Sequence, residues 1–125
     1  MKHGAAAGMI AYKILLGSEL AVFKAKGCFN GTPSDLKEGF IHLSSADQIG
    51  EVVKKHYANA RDAYVLAVDL DTMGTAVRLE DASNGKAYPH LYDTLMLASV
   101  IGCSTLKLCS DGFVEIPKVS AEKNL

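Results

Sequence analysis

Tyr64-Val65-Leu66-Ala67-Val68-Asp69-Leu70 is a nearly continuous apolar, β-branched run. Its length and flanks predict a central strand rather than a buried helix. Working outward, Ala11 to Leu16 reads as a strand ended by Gly17. Ser18 then stands as the N-cap of a helix from Glu19 to Lys26, closed by Gly27. Asn30-Gly31-Thr32-Pro33-Ser34-Asp35, with Gly39 after it, predicts an ordered loop. Phe40-Ile41-His42-Leu43 is a short apolar run. Ser45 and Gln48 form a capping box that opens a helix over Ala46 to Tyr57, with Ile49, Val52 and Val53 on its apolar face.

Beyond the central strand, Asp71 to Gly74 reads as a turn and Val77 to Glu80 alternates like a half-buried strand. Ser83-Asn84-Gly85 marks a hairpin turn. Ala87 to Tyr92 carries Pro89, which assigns it to an edge, a bulge or a loop. Met96 to Ile101 and Ser104 to Cys109 are strand candidates parted by Gly102. Asp111-Gly112 is a turn before a last strand, Phe113 to Ile116. Runs of strands after an early helix pair predict an α+β fold with a mostly antiparallel sheet and two short helices in the first half. Residues 1–9 read as an arm, 10–117 as one domain and 118–125 as a polar tail.

The chain has 125 residues, 49% hydrophobic, with 13 Lys and Arg against 14 Asp and Glu. One domain fits that length, and it buries about two-thirds of its unfolded surface. A balanced charge argues against nucleic acid as partner, because phosphate affinity needs a positive face. No apolar run approaches the ~18 residues that would cross a bilayer, so no membrane partner is expected. The stretch Gly4 to Ile10 is too short and Ala-rich for a secretory signal. Cys28, Cys103 and Cys109 make an odd number without zinc-like spacing, which predicts reduced, buried thiols and a cytoplasmic location.

His42 sits in an apolar run, where a histidine is ordinarily a core imidazole held by one backbone hydrogen bond. If the run is extended, Phe40, His42 and Ser44 share one face, and the ring projects into a cleft with Ser44 beside it. Tyr88-Pro89-His90-Leu91-Tyr92 reads either as a strand-end aromatic cluster or as a ligand wall around His90. Glu80 is a surface carboxylate unless it lies near one of these rings, where it would orient an imidazole or act as base. Asp35 reads as a turn former, and His56 as packing or a solvated edge. Two histidines with carboxylates raise a metal-assisted hydrolase, but the spacing lacks any helical ligand pair and no metal is expected.

The blocks Gly39-Phe40-Ile41-His42-Leu43-Ser44 and Pro89-His90-Leu91-Tyr92 resemble the bacterial family called domain of unknown function 952. The likeness also takes in Tyr12-Lys13-Ile14, Gln48, His56-Tyr57, Leu66-Ala67-Val68-Asp69 and Leu79-Glu80, over roughly Ile10 to Val100. That family often carries a Trp in the first helix and another before the Glu80 position; this chain has no Trp, and Leu79 stands there. The resemblance implies an ADP-ribosylation-like fold, an α+β split sheet around a nicotinamide-nucleotide cleft. It implies NAD or a related nucleotide as ligand and ribosyl transfer or hydrolysis as the reaction. Glu80 and His90 would be catalytic, and Tyr12, Lys13, His42, Ser44, His90 and Tyr92 would touch the ligand. The rival is a non-catalytic module binding a nucleotide or small molecule. Only Arg61 and Arg78 are present, which counts against phosphotransfer on RNA.

Overall fold

A computed structural model describes residues 9–82, 84–107 and 114–119. Its elements run β1 (Ile10–Leu16), α1 (Gly17–Lys26), β2 (Cys28–Phe29), α2 (Pro33–Glu38), β3 (Ile41–His42), α3 (Ile49–His56), β4 (Ala63–Asp69), β5 (Val77–Asp81), β6 (Ala87–Leu91), β7 (Leu95–Met96) and β8 (Val100–Thr105). Short 3-10 turns join β4 to β5 and β7 to β8. The fold is α+β, and every strand pair among the described residues is antiparallel.

The apolar run from Tyr64 to Asp69 lies in β4, the central strand of a sheet ordered β1-β4-β8. Its alternation fills two cores. Leu66 and Val68 point with Ala11 and Leu15 toward one, where α1 adds Leu20 and Phe23. Ala63, Val65 and Ala67 point with Tyr12 and Ile14 toward the other, where α3 adds Ile49 and Val53. Burial on both faces explains why β4 lacks polar residues until its end. A second sheet is ordered β3-β6-β5, and β2 and β7 form a separate two-stranded pair. Reciprocal hydrogen bonds between Tyr12 and Ser44, 2.7 and 2.9 Å, tie β1 to the chain just past β3 and so join the two larger sheets.

Several expectations need correction. Among the described residues three α-helices form in the first half, not two. The stretch read as a loop contains α2, because Thr32 and Asp35 form a capping box and Pro33 takes the first helical position. Helix α1 starts at Gly17, ahead of Ser18, with Glu19 Oε1 accepting from the Leu16 amide at 2.8 Å. Gln48 does reach back to the Ser45 amide at 3.0 Å, but Ser45 Oγ donates to Asp47, and regular helix begins only at Ile49.

Pro89 lies in the middle strand of its sheet, not at an edge. Its carbonyl accepts from the Leu43 amide at 3.0 Å. The return bond that a proline cannot donate would fall at Leu43, where β3 has already ended, so the ladder loses little. Gly102 lies inside β8 instead of parting two strands. The register moves from Ala67↔Gly102 to Val68↔Val100, leaving Ile101 as a bulge. A Cβ at Gly102 would stand 2.5 Å from the Lys118 carbonyl oxygen, so glycine is needed where the C-terminal segment crosses the strand. Cys28 and Cys103 are free thiols, and Cys103 is exposed rather than buried. The expectations for residues 1–8, Ser83, Cys109 and the Asp111-Gly112 turn lie outside the described residues.

Candidate functional site

The register of β3 against β6 sets His42 directly opposite His90. Opposed residues of an antiparallel pair hold their Cβ atoms roughly 5 Å apart on one face. The two rings accordingly lie 5.6 Å apart between centroids, edge to face. Ser44 follows His42 at the same-face spacing, and Tyr12 is the bridge partner of Ser44. His42, His90, Ser44 and Tyr12 thus form a patch two residues by two across the seam of the sheets. All four line a single open cleft of about 770 Å³. Its far wall is α3, where Val52 is joined by Lys54, Lys55 and His56 of the last turn.

Each imidazole is held from behind by a carboxylate. Asp35, 1% exposed, brings Oδ1 to 2.6 Å from His42 Nδ1 and also accepts from the His42 amide at 3.1 Å. Its Oδ2 accepts from the Thr32 amide at 2.9 Å. Lys13 meets both oxygens, at 3.0 and 2.8 Å, and donates to the His42 carbonyl at 2.9 Å. Burial alone would raise the Asp35 carboxyl. The His42 hydrogen bond, the Lys13 charge and hydrogen bond, and the Thr32 amide outweigh that and hold it well below the usual carboxylate range. Burial pulls the Lys13 ammonium down, and Asp35 opposes the pull. Lys13 shares the face of Ala11 and Leu15, so the core side of β1 would hold an unpaired cation without Asp35.

His90 Nδ1 lies 2.8 Å from Glu80 Oε1, which also accepts from the Tyr92 hydroxyl at 2.5 Å. Those two bonds, Tyr92 first, lower the Glu80 carboxyl, while the same bond raises the Tyr92 phenol. Phe40 stacks on His90 at 4.0 Å and touches His42 and Tyr92 at 4.7 and 5.3 Å. The Arg78 guanidinium sits 4.8 Å from the Tyr92 ring centre.

An ionised carboxylate only accepts, so each Nδ1 carries a proton, and Nε2 is the ring nitrogen left for a ligand, an acceptor in the neutral ring and a donor in the protonated one. Neither Nε2 has a protein partner among the described residues, and neither do the Tyr12 and Ser44 hydroxyls. The site therefore presents two oriented imidazole nitrogens beside two hydroxyls that both donate and accept. Among the described residues no group of three or more His, Cys, Asp and Glu is placed to hold a metal ion.

The sequence-predicted residues divide. Tyr12, His42, Ser44 and His90 come together in the cleft. Lys13 lines it too, but its ammonium is spent on Asp35 and the His42 carbonyl. Glu80 and Tyr92 do not line it: Glu80 acts behind His90, and Tyr92 borders a separate recess of about 320 Å³ past Phe40. His56, exposed, borders the far wall. Sequence reasoning missed Asp35 as the hub. The Thr32-to-Asp35 capping box was the available signal for α2, but nothing local announces that Lys13 and His42 converge on it. Phe40 as the stacking partner of His90 was also missed.

Residues 14–103 match the family described as protein of unknown function, DUF952. The chain belongs to this family. The crystal structure of protein CC0527 from Caulobacter crescentus is similar to it, with 33% identity, a TM-score of 0.78, and coverage of 94% of this chain and 100% of that one. A solution structure of CC0527 gives 34% identity, a TM-score of 0.73, and coverage of 93% and 96%. No curated protein matches the chain. Among the described residues no helix is long and apolar enough to cross a membrane.

Proposed function

We propose that this DUF952 chain binds NAD or a related ribose-bearing nucleotide in the cleft between β3, β6 and α3. The observation that carries the reading is the pair of imidazoles 5.6 Å apart, each fixed at Nδ1 by its own carboxylate and unpartnered at Nε2. A ribose presents two neighbouring hydroxyls, both donors, and two outward Nε2 acceptors match them. The cleft volume falls within the ~300–1,000 Å³ typical of small-molecule sites. Lys54 and Lys55 on the far wall supply positive charge for a pyrophosphate. The two larger sheets joined at one seam are compatible with the ADP-ribosylation-like architecture that the sequence resemblance implied.

Titration of NAD and ADP-ribose by calorimetry tests the reading, with wild type set against the His42→Ala/His90→Ala double variant. Saturable binding that the double variant loses supports it; no binding by wild type, or equal binding by both, overturns it. A specific observation favours binding without ribosyl transfer. Asp35 lines the cleft with both oxygens taken by Lys13, Thr32 and His42, and Glu80 lies behind His90 outside it, so neither is free to stabilise a ribosyl cation. Chromatography of nicotinamide after long incubation separates the two: release at a rate above the double variant assigns turnover, and a stable complex assigns a binding module.

A further inference from the structure

We infer that the cleft hydrolyses ribonucleoside 2′,3′-cyclic phosphates, with His42 and His90 as a general base and general acid pair; the inference rests on the ribonucleotide reading above. What faces the cleft decides the class of chemistry. Cleavage at the ribose anomeric carbon develops positive charge, which a free carboxylate would stabilise; of the carboxylates lining the cleft, Asp35 has both oxygens taken by Lys13, Thr32 and His42, and Glu51, exposed on α3, pairs with Lys86 at 3.5 Å. Phosphoryl transfer instead develops negative charge on the phosphoryl oxygens and needs one proton removed and another delivered on opposite sides of phosphorus. Two imidazoles with free Nε2 atoms, their ring centres 5.6 Å apart and edge to face on one sheet face, stand close enough for one phosphoryl group lying over them to meet both.

The other half of the patch supplies the remaining part. The Tyr12 and Ser44 hydroxyls have no protein partner among the described residues, and the bridge between their backbones puts the two side chains on one face of the seam. Both can donate to the phosphoryl oxygens as charge builds there. No step calls for a metal: the donors are hydroxyls and imidazoles already oriented by the fold. A single nucleotide also suits a balanced chain charge, which gives no positive face for a polymer.

The step balances with water as the only co-reactant. One neutral imidazole takes a proton from water at Nε2 as the oxygen bonds to phosphorus. The bond from phosphorus to one ribose oxygen breaks, and the other ring, protonated, gives its Nε2 proton to that oxygen. The product is a nucleoside monophosphate with a free neighbouring hydroxyl. The rings end with the opposite protonation, and exchange with solvent restores them.

Phosphorus NMR of 2′,3′-cyclic AMP incubated with the protein in the presence of EDTA reads the reaction directly. The expected result is one monophosphate regioisomer and a bell-shaped dependence of kcat/KM on pH. His42→Ala and His90→Ala should each lose about 10²–10⁴-fold in kcat. Circular dichroism confirms that both variants remain folded. Should either fail to fold, His42→Gln or His90→Gln replaces it. Absence of hydrolysis by wild type overturns the inference, as does equal hydrolysis by the double variant purified alongside. If wild type still binds ADP-ribose in that case, the ribonucleotide reading survives and only the hydrolysis fails.

Discussion

The two histidine–carboxylate pairs are chemically alike and physically opposite. Asp35 is buried at 1% exposure inside a web of Lys13, Thr32 and His42, whereas the Glu80 side chain is 36% exposed with only His90 and Tyr92 on one oxygen. Both hold an Nδ1 proton at similar distance. One carboxylate is therefore structural as well as orienting, and the other only orients. A buried charge without its partners costs several kcal/mol, and an exposed one is resolvated by water.

Deleting each carboxylate in turn should separate the two pairs most widely. Asp35→Ala strands the Lys13 ammonium and three backbone or ring donors, and should lose about 3–5 kcal/mol of unfolding free energy. Glu80→Ala should leave the unfolding midpoint near wild type. Urea denaturation of both variants checks the pair, and equal midpoints would dissolve the distinction. The same denaturation on Lys13→Met should show a large loss too, because Asp35 then stays buried without its cation.

Acid sharpens it next. The Asp35 carboxyl in the folded protein sits well below its unfolded value of about 3.9. Between those two values the unfolded chain binds more protons, so the Asp35 contribution is whole above about pH 4–5 and fades as pH falls toward the folded value. Wild type should therefore lose stability faster than Asp35→Asn as urea midpoints are followed from pH 7 to pH 3. Other carboxylates act in both proteins, and the difference isolates Asp35. Parallel slopes would place the stabilisation elsewhere.

What the sequence made legible follows the same division between local and distant causes. Strand β4, strand β1 and the apolar face of α3 were readable because periodicity is local. The meeting of His42 with His90 was readable only as a consequence of family likeness, since register across β3 and β6 is not written in either segment. The Thr32-Pro33-Ser34-Asp35 stretch carries a capping box and an N1 proline, yet its turn formers dominated the reading and hid α2. Asp35 itself was illegible as a hub, because its partner Lys13 lies 22 residues away on β1. Pro89 was misplaced for a related reason: its cost depends on whether the facing strand continues, and β3 stops one residue short of needing the bond.

The finest test asks what Glu80 does if it contributes nothing to folding. Glu80→Gln keeps an acceptor oxygen near His90 Nδ1 but removes the charge that fixes the proton there. The amide can also turn its NH2 toward the ring, and the ring then places its proton on Nε2, away from the side chain. His90 would present a donor to the cleft where it had presented an acceptor, and the hydroxyl match would be lost on that side alone. Nitrogen NMR of the imidazole should show the changed tautomer with the unfolding midpoint unmoved, and ADP-ribose affinity should fall roughly fivefold, the scale of one ordinary hydrogen bond. The equivalent Asp35→Asn change should lower affinity and stability together. If Glu80→Gln instead destabilised the fold as much as Asp35→Asn does, exposure would not be what separates the two halves, and Phe40 stacked on His90 would have to transmit the loss into the core.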